Sequence, residues 1–156
     1  MNIHVPIVRF ALLAALTLHP GAFASRCAEL RPFLSSALDA PLIVQARVVR
    51  HAQTLVPPSF AEVRVLATLK GRAPSTTLRI LDSDGALAVQ NASAYPVGTT
   101  WVFALRPSVD GASFTLPVCG DGALAVIGKN VFGNLEGGLA SVLSLTDLRD
   151  RLRGSP

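Results

Sequence analysis

Apolar and polar residues alternate along several stretches of the chain with the period of two that marks a strand with one wet face. Phe60 to Leu69 (FAEVRVLATL) is the clearest, with Ala61, Val63, Val65, Ala67 and Leu69 on one side and Glu62 and Arg64 on the other. Thr76 to Leu81 (TTLRIL) repeats the pattern with Leu78 and Ile80 inward, and Leu42 to Val49 (LIVQARVV) carries β-branched residues with Gln45 and Arg47 two apart. Thr99 to Leu105 (TTWVFAL) follows a Tyr95-Pro96-Val97-Gly98 turn. Asp110-Gly111 then signals a tight hairpin that returns Ser113 to Val118 (SFTLPV) towards Cys119. Val63, Val65, Leu78, Ile80, Val102 and Ala104 are the expected core of these strands. His51 to Ser59, with Pro57-Pro58, reads as a loop. Asp82 to Gly98 reads as irregular chain around a short strand at Ala86 to Val89. The glycine-rich stretch 120–143 holds short strands at Leu124–Ile127 and Leu139–Leu143.

Two helices are expected. Glu29 to Leu38 has Pro32 near its first turn, where a missing N–H costs little, and Asp39-Ala40-Pro41 ends it. Leu145 to Leu152 has Ser144 or Thr146 as N-cap and Gly154 after its last turn. Leu145, Leu148 and Leu152 share one face, which should pack on the strands. Five or six uneven strands with minor helices make an all-β domain, a small barrel or sandwich.

The N-terminus has a different pattern. Residues 1–24 hold a single charge, Arg9, then the apolar run Phe10 to Leu18, a break at His19-Pro20-Gly21 and the small-x-small site Ala22-Phe23-Ala24. This is the pattern of a secretory signal peptide, with cleavage expected after Ala24. A membrane span needs roughly 20 apolar residues, and this run is shorter and interrupted. A lipid anchor at Cys27 would want a small residue before it, where Arg26 stands. Residues 25–156 are therefore expected to be one domain, secreted or periplasmic, with no stable membrane anchor.

Composition changes this picture little. The chain has 14 Lys and Arg against 10 Asp and Glu. Without Arg9 the balance is 13 against 10, a net +3. No basic stripe with interleaved aromatics is visible, so nucleic acid is not an expected partner. Cys27 and Cys119 are the only cysteines, and in an oxidising compartment such a pair is expected to form one bridge. His51 is the one histidine after residue 24, too few for a zinc site. Asp82-Ser83-Asp84-Gly85 lacks the downstream acid of a calcium loop, and Gly128-Lys129-Asn130 lacks the spacing of a phosphate loop. No nucleophile–base pair can be assembled. The expectation is a non-enzymatic protein with no cofactor and no metal.

The order of these features resembles the inhibitory domain of tissue inhibitors of metalloproteinases and the wider netrin-like modules. Asp39 to Val49 (DAPLIVQARVV) is similar to the family's first strand and Phe60 to Gly71 (FAEVRVLATLKG) to its second, which also ends in Lys-Gly. Thr99 to Cys119 (TTWVFALRPSVDGASFTLPVC) is similar to its late hairpin running into a cysteine. The likeness covers roughly residues 25–120. It implies an OB-type five-stranded barrel closed by a Cys27–Cys119 disulfide. Such inhibitors offer a free α-amino group and the first carbonyl to a protease zinc, filling the open coordination position, while the second side chain enters the neighbouring pocket. The matching residues here are Ser25 and Arg26, tethered through Cys27. The family's first cysteine and its partner are absent, and Arg26 brings a charge to an apolar pocket.

The functional expectation is a protein-binding module with an unknown extracytoplasmic partner. The alternative is a metalloproteinase inhibitor acting through Ser25 on a zinc metalloproteinase. A further alternative is glycan or single-stranded nucleic-acid binding on the barrel face. That would need exposed aromatics, whereas Tyr95, Trp101, Phe103 and Phe114 are expected to fill the core.

Overall fold

Residues 29–52, 59–82 and 94–154 are described by the computed structural model. In chain order they form α1 (Phe33–Leu38), β1 (Leu42–Ala52), β2 (Phe60–Lys70), β3 (Thr77–Leu81), β4 (Thr100–Pro107), β5 (Phe114–Thr115), β6 (Ala123–Ile127), β7 (Asn130–Gly133), β8 (Ser141–Ser144) and α2 (Leu145–Gly154). The strands lie in the order β1-β2-β3-β5-β4-β6-β7-β8, and β4 also pairs with β1. That last pairing closes β1-β2-β3-β5-β4 into a five-stranded barrel, an arrangement compatible with the OB fold. The expected Ala86–Val89 strand and the Pro57-Pro58 loop lie outside the described residues.

Closure depends on two features. The register of β1 against β2 shifts at Ile43/Val44, Gln45/Ala46 and Val48/Arg50, and such irregularities coil a strand enough to bend a sheet round. One edge of β4 meets β1 from Leu105 down to Thr100. Its other edge is shared, with residues 100–103 on β6 and Arg106 and Pro107 on β5. The seam at β5 is short, a single parallel pair, Ile80 with Phe114.

The described residues form two hydrophobic cores. Inside the barrel, Val44, Val48, Val63, Ile80, Phe103 and Leu105 pack together. On the outer side of β1 and β4, Ile43, Val102, Ala104 and Leu124 pack against Phe33 of α1 and Leu148 of α2. The run from Val102 to Leu105 is therefore buried on both faces, as strands covered on two sides are. Val102 and Ala104 are core residues, but of the outer cluster. Alternation correctly separates the two faces of β4, yet both faces are apolar, so it does not say which one is inside.

Other expectations are adjusted. The first helix begins at Phe33 rather than Glu29, because the Arg31 backbone is committed to a bridge with Gly120 and Pro32, at φ −64° and ψ 163°, is the N-cap. The first strand extends to Ala52, so His51 is a half-buried strand residue whose Nε2 bonds the Tyr95 carbonyl at 2.9 Å. The Asp110-Gly111 turn is not a two-residue hairpin. Ser108 to Ser113 form a longer loop, with Asp110 Oδ1 accepting from the Ala112 and Ser113 N–H groups at 3.0 and 2.9 Å. Gly128 and Lys129 form a turn, and β7 at Asn130–Gly133 is a strand not singled out within the glycine-rich stretch 120–143.

The Lys-Gly pair at the end of β2 has a plain structural job. Lys70 Nζ donates to the carbonyls of Ala37 (3.1 Å) and Leu38 (2.9 Å) at the C-terminal end of α1. Gly71 sits at φ +75°, where a Cβ would stand 2.2 Å from the Pro41 carbonyl oxygen. At the far end, Ser144 caps α2: its Oγ accepts from the Asp147 N–H (3.0 Å) and donates to Asp147 Oδ2 (2.7 Å). Leu145, Leu148 and Leu152 then face the outer core as the helical spacing requires.

Candidate functional site

The N-terminal segment docks on the chain around Cys119. The Arg31 N–H donates to the Cys119 carbonyl at 3.0 Å, and the Asp121 N–H donates to the Arg31 carbonyl at 2.8 Å. Gly120 permits this approach, because a Cβ there would lie 2.1 Å from Ser36 Oγ and 3.1 Å from the Arg31 carbonyl oxygen. The docked pair thus lies where α1, the end of β5 and the entry to β6 meet.

A cleft of about 250 Å³ opens at this junction. Arg31 and Arg106 line it on the charged side, with Leu116, Pro117 and Val118 on the apolar side and Cys119 at one end. Both guanidinium groups approach Asp39 Oδ2, Arg31 at 2.7 Å and Arg106 at 3.7 Å. Only the first distance is a hydrogen bond. The Arg31 hydrogen bond and charge, helped by Arg106 and Lys70, hold the Asp39 carboxyl below its ordinary range. Ser36 also lines the cleft. It is 3% exposed, and its hydroxyl has no hydrogen-bond partner among the described residues. Leu30 and Val118, on the two docked segments, are 51% and 48% exposed.

Of the residues expected to form the site, Ser25, Arg26 and Cys27 lie outside the described residues. Cys119 is described, and its expected partner Cys27 is not. The cleft was not visible in the sequence because its residues come from α1, β4 and the segment after β5, which no local pattern connects. The nearest signal was the Ser-rich, otherwise apolar α1, where Ser36 occupies a buried position.

The barrel exterior carries a second group that sequence reading missed. Strand register sets Arg47 directly opposite Arg64, and Glu62 between Arg50 and Arg79. Arg50 and Arg79 both lie over the Phe60 ring, at 5.7 and 5.1 Å from its centroid. Glu62 pairs with Arg50 at 2.8 Å. These charges are far apart in sequence and become neighbours only through pairing. Phe103, Tyr95 and Phe114 are buried and Trp101 packs into their cluster, so these four aromatics are not offered on the barrel face, where Phe60 stands under its two arginines. Burial also pushes the Tyr95 phenol well above its ordinary value.

No family model matches the chain, and no curated protein matches it.

Proposed function

We propose that the chain is an exported, non-enzymatic protein-binding module with an OB/netrin-like barrel, and that it recognises its partner with the end of the barrel at Cys119. The docking of Arg31 on Cys119 and Asp121 carries this reading. It gathers two arginines and the exposed apolar side chains of Leu30 and Val118 in one place. Arginine beside exposed apolar groups is the composition that protein interfaces favour.

The same docking supports a Cys27–Cys119 bridge. Cys27 lies four residues before Arg31, and four residues span at most about 14 Å. A bridge there would fasten the residues after the cleavage site to the recognition end. The test is capture of partners from the extracytoplasmic fraction with the mature, oxidised protein and with a Leu30→Asp, Val118→Asp double variant. A partner retained by the first and lost by the second supports the reading. Equal recovery, or no partner with either, contradicts it.

Metalloproteinase inhibition is the second reading, favoured by the same observation, because the docked segment gives Ser25 a fixed point of departure six residues upstream of Arg31. Chelation would use the Ser25 α-amino lone pair, and an α-amino pKa of about 7.7–8.0 leaves part of that group neutral near pH 7. An added alanine before Ser25, or acetylation, would abolish such inhibition without unfolding the domain, and Arg26→Val would strengthen it. Inhibition of zinc endopeptidases that persists with a blocked terminus contradicts the mechanism.

A further inference from the structure

The cleft at Cys119 is lined by an arginine that the fold does not fully occupy. The Arg106 guanidinium, about half exposed, stands 3.7 Å from Asp39, too far for a hydrogen bond, while Arg31 already holds that carboxylate at 2.7 Å. Two guanidinium groups against one carboxylate leave the mouth positively charged. Thr115 adds a hydroxyl, and Leu116 to Val118 form an apolar wall beside it.

We infer that this cleft binds a carboxylate carrying a short apolar group, with Arg106 as its charge partner and the half-buried Thr115 hydroxyl as a hydrogen-bond donor. A planar carboxylate matches the guanidinium fork. A carboxylate can bring an apolar group to the wall of Leu116, Pro117 and Val118, whereas a phosphate would wet it. The volume of about 250 Å³ lies just below the usual range for drug-sized ligands, and suits one terminal residue or a small organic acid. A polypeptide C-terminus and a free acid share this chemistry. The inference rests on the protein-binding reading only for the first of these sources.

The test uses the mature, oxidised full domain with three probes at low ionic strength: N-acetylvaline, its uncharged amide N-acetylvalinamide, and isovalerate. Binding is followed by amide chemical shifts. N-acetylvaline is expected to perturb residues around Ser36, Thr115 and Val118, and the amide is not. Arg106→Gln should weaken binding by at least about tenfold. Thr115→Val should weaken binding while leaving the melting temperature unchanged, a combination that a purely structural threonine would not give. Weaker binding of isovalerate points to a polypeptide C-terminus, and equal binding points to a small acid. Identical responses to acid and amide, or unchanged affinity in Arg106→Gln, would overturn the inference. Capture of a partner through Leu30 and Val118 with no carboxylate response would overturn the cleft assignment alone and leave the binding module standing.

Discussion

Three small residues, Gly71, Gly120 and Ser36, set the backbone geometry around α1. Gly71 combines a positive φ with a carbonyl in the space of its absent Cβ. Gly71→Ala is expected to cost about 2–4 kcal/mol, the left-handed penalty plus a backbone clash. Gly111→Ala, at φ +66° in open space, should cost only about 1–2 kcal/mol. Urea unfolding of the two variants separates clash from conformation, and equal losses would mean that Pro41 yields. Gly120 and Ser36 form a matched pair. Gly120→Ala should destabilise by about 1–3 kcal/mol, and adding Ser36→Ala should recover part of that loss by removing the hydroxyl in the way. Asp39 governs the acid side. Its folded-state carboxyl is held below 3.8 by Arg31 first and then by Arg106 and Lys70. The stability it adds is complete above the unfolded value and fades as pH falls through the folded one. Asp39→Asn should lower stability at neutral pH, and the urea midpoints of variant and parent should converge as the pH falls below about 4.

The elements differ in how far the sequence revealed them. β2 and β3 were legible because one face is wet, so polar Glu62, Arg64 and Arg79 mark the outside. α2 was legible from its leucine spacing and its Ser144 cap. Leu148, fully buried, should cost about 2–5 kcal/mol on truncation to alanine, which thermal unfolding would register. β4 was legible as a strand but not in its facing, because the outer core clothes its second side. α1 was overextended because a backbone bridge at Arg31 leaves no periodic trace. The arginines on the barrel face were invisible for the same reason: only register brings Arg47 opposite Arg64. Like charges directly opposite are unfavourable, so Arg64→Glu should stabilise by about 0.5 kcal/mol at low salt, and the gain should shrink as salt is added. A loss of stability there would mean that the pair is neutralised in some other way.

At the scale of the molecule, a five-stranded barrel with a one-pair seam at β3 and β5 is joined to an outer core built by α1, α2 and β6 to β7. The N-terminal segment crosses between them, docking Arg31 beside Cys119. That crossing is where the candidate site lies, and only its flanks could be foreseen. The cysteine pair and the order of the strand motifs pointed to this end, while the cleft itself exists only once the chain has folded. The proposed Cys27–Cys119 bridge would close a loop of about 90 residues, and chain-entropy reasoning gives it an upper value of roughly 4–5 kcal/mol. The proposed function requires an exported chain whose new terminus at Ser25 is tethered to Cys119 through Cys27. Intact-mass analysis of the exported protein, with peptide mapping under non-reducing conditions, tests that most directly. The expected result is loss of residues 1–24, a mass lower by two hydrogens, and a crosslinked peptide joining Cys27 to Cys119. Retention of residues 1–24, or free thiols at both cysteines after denaturation, would contradict it.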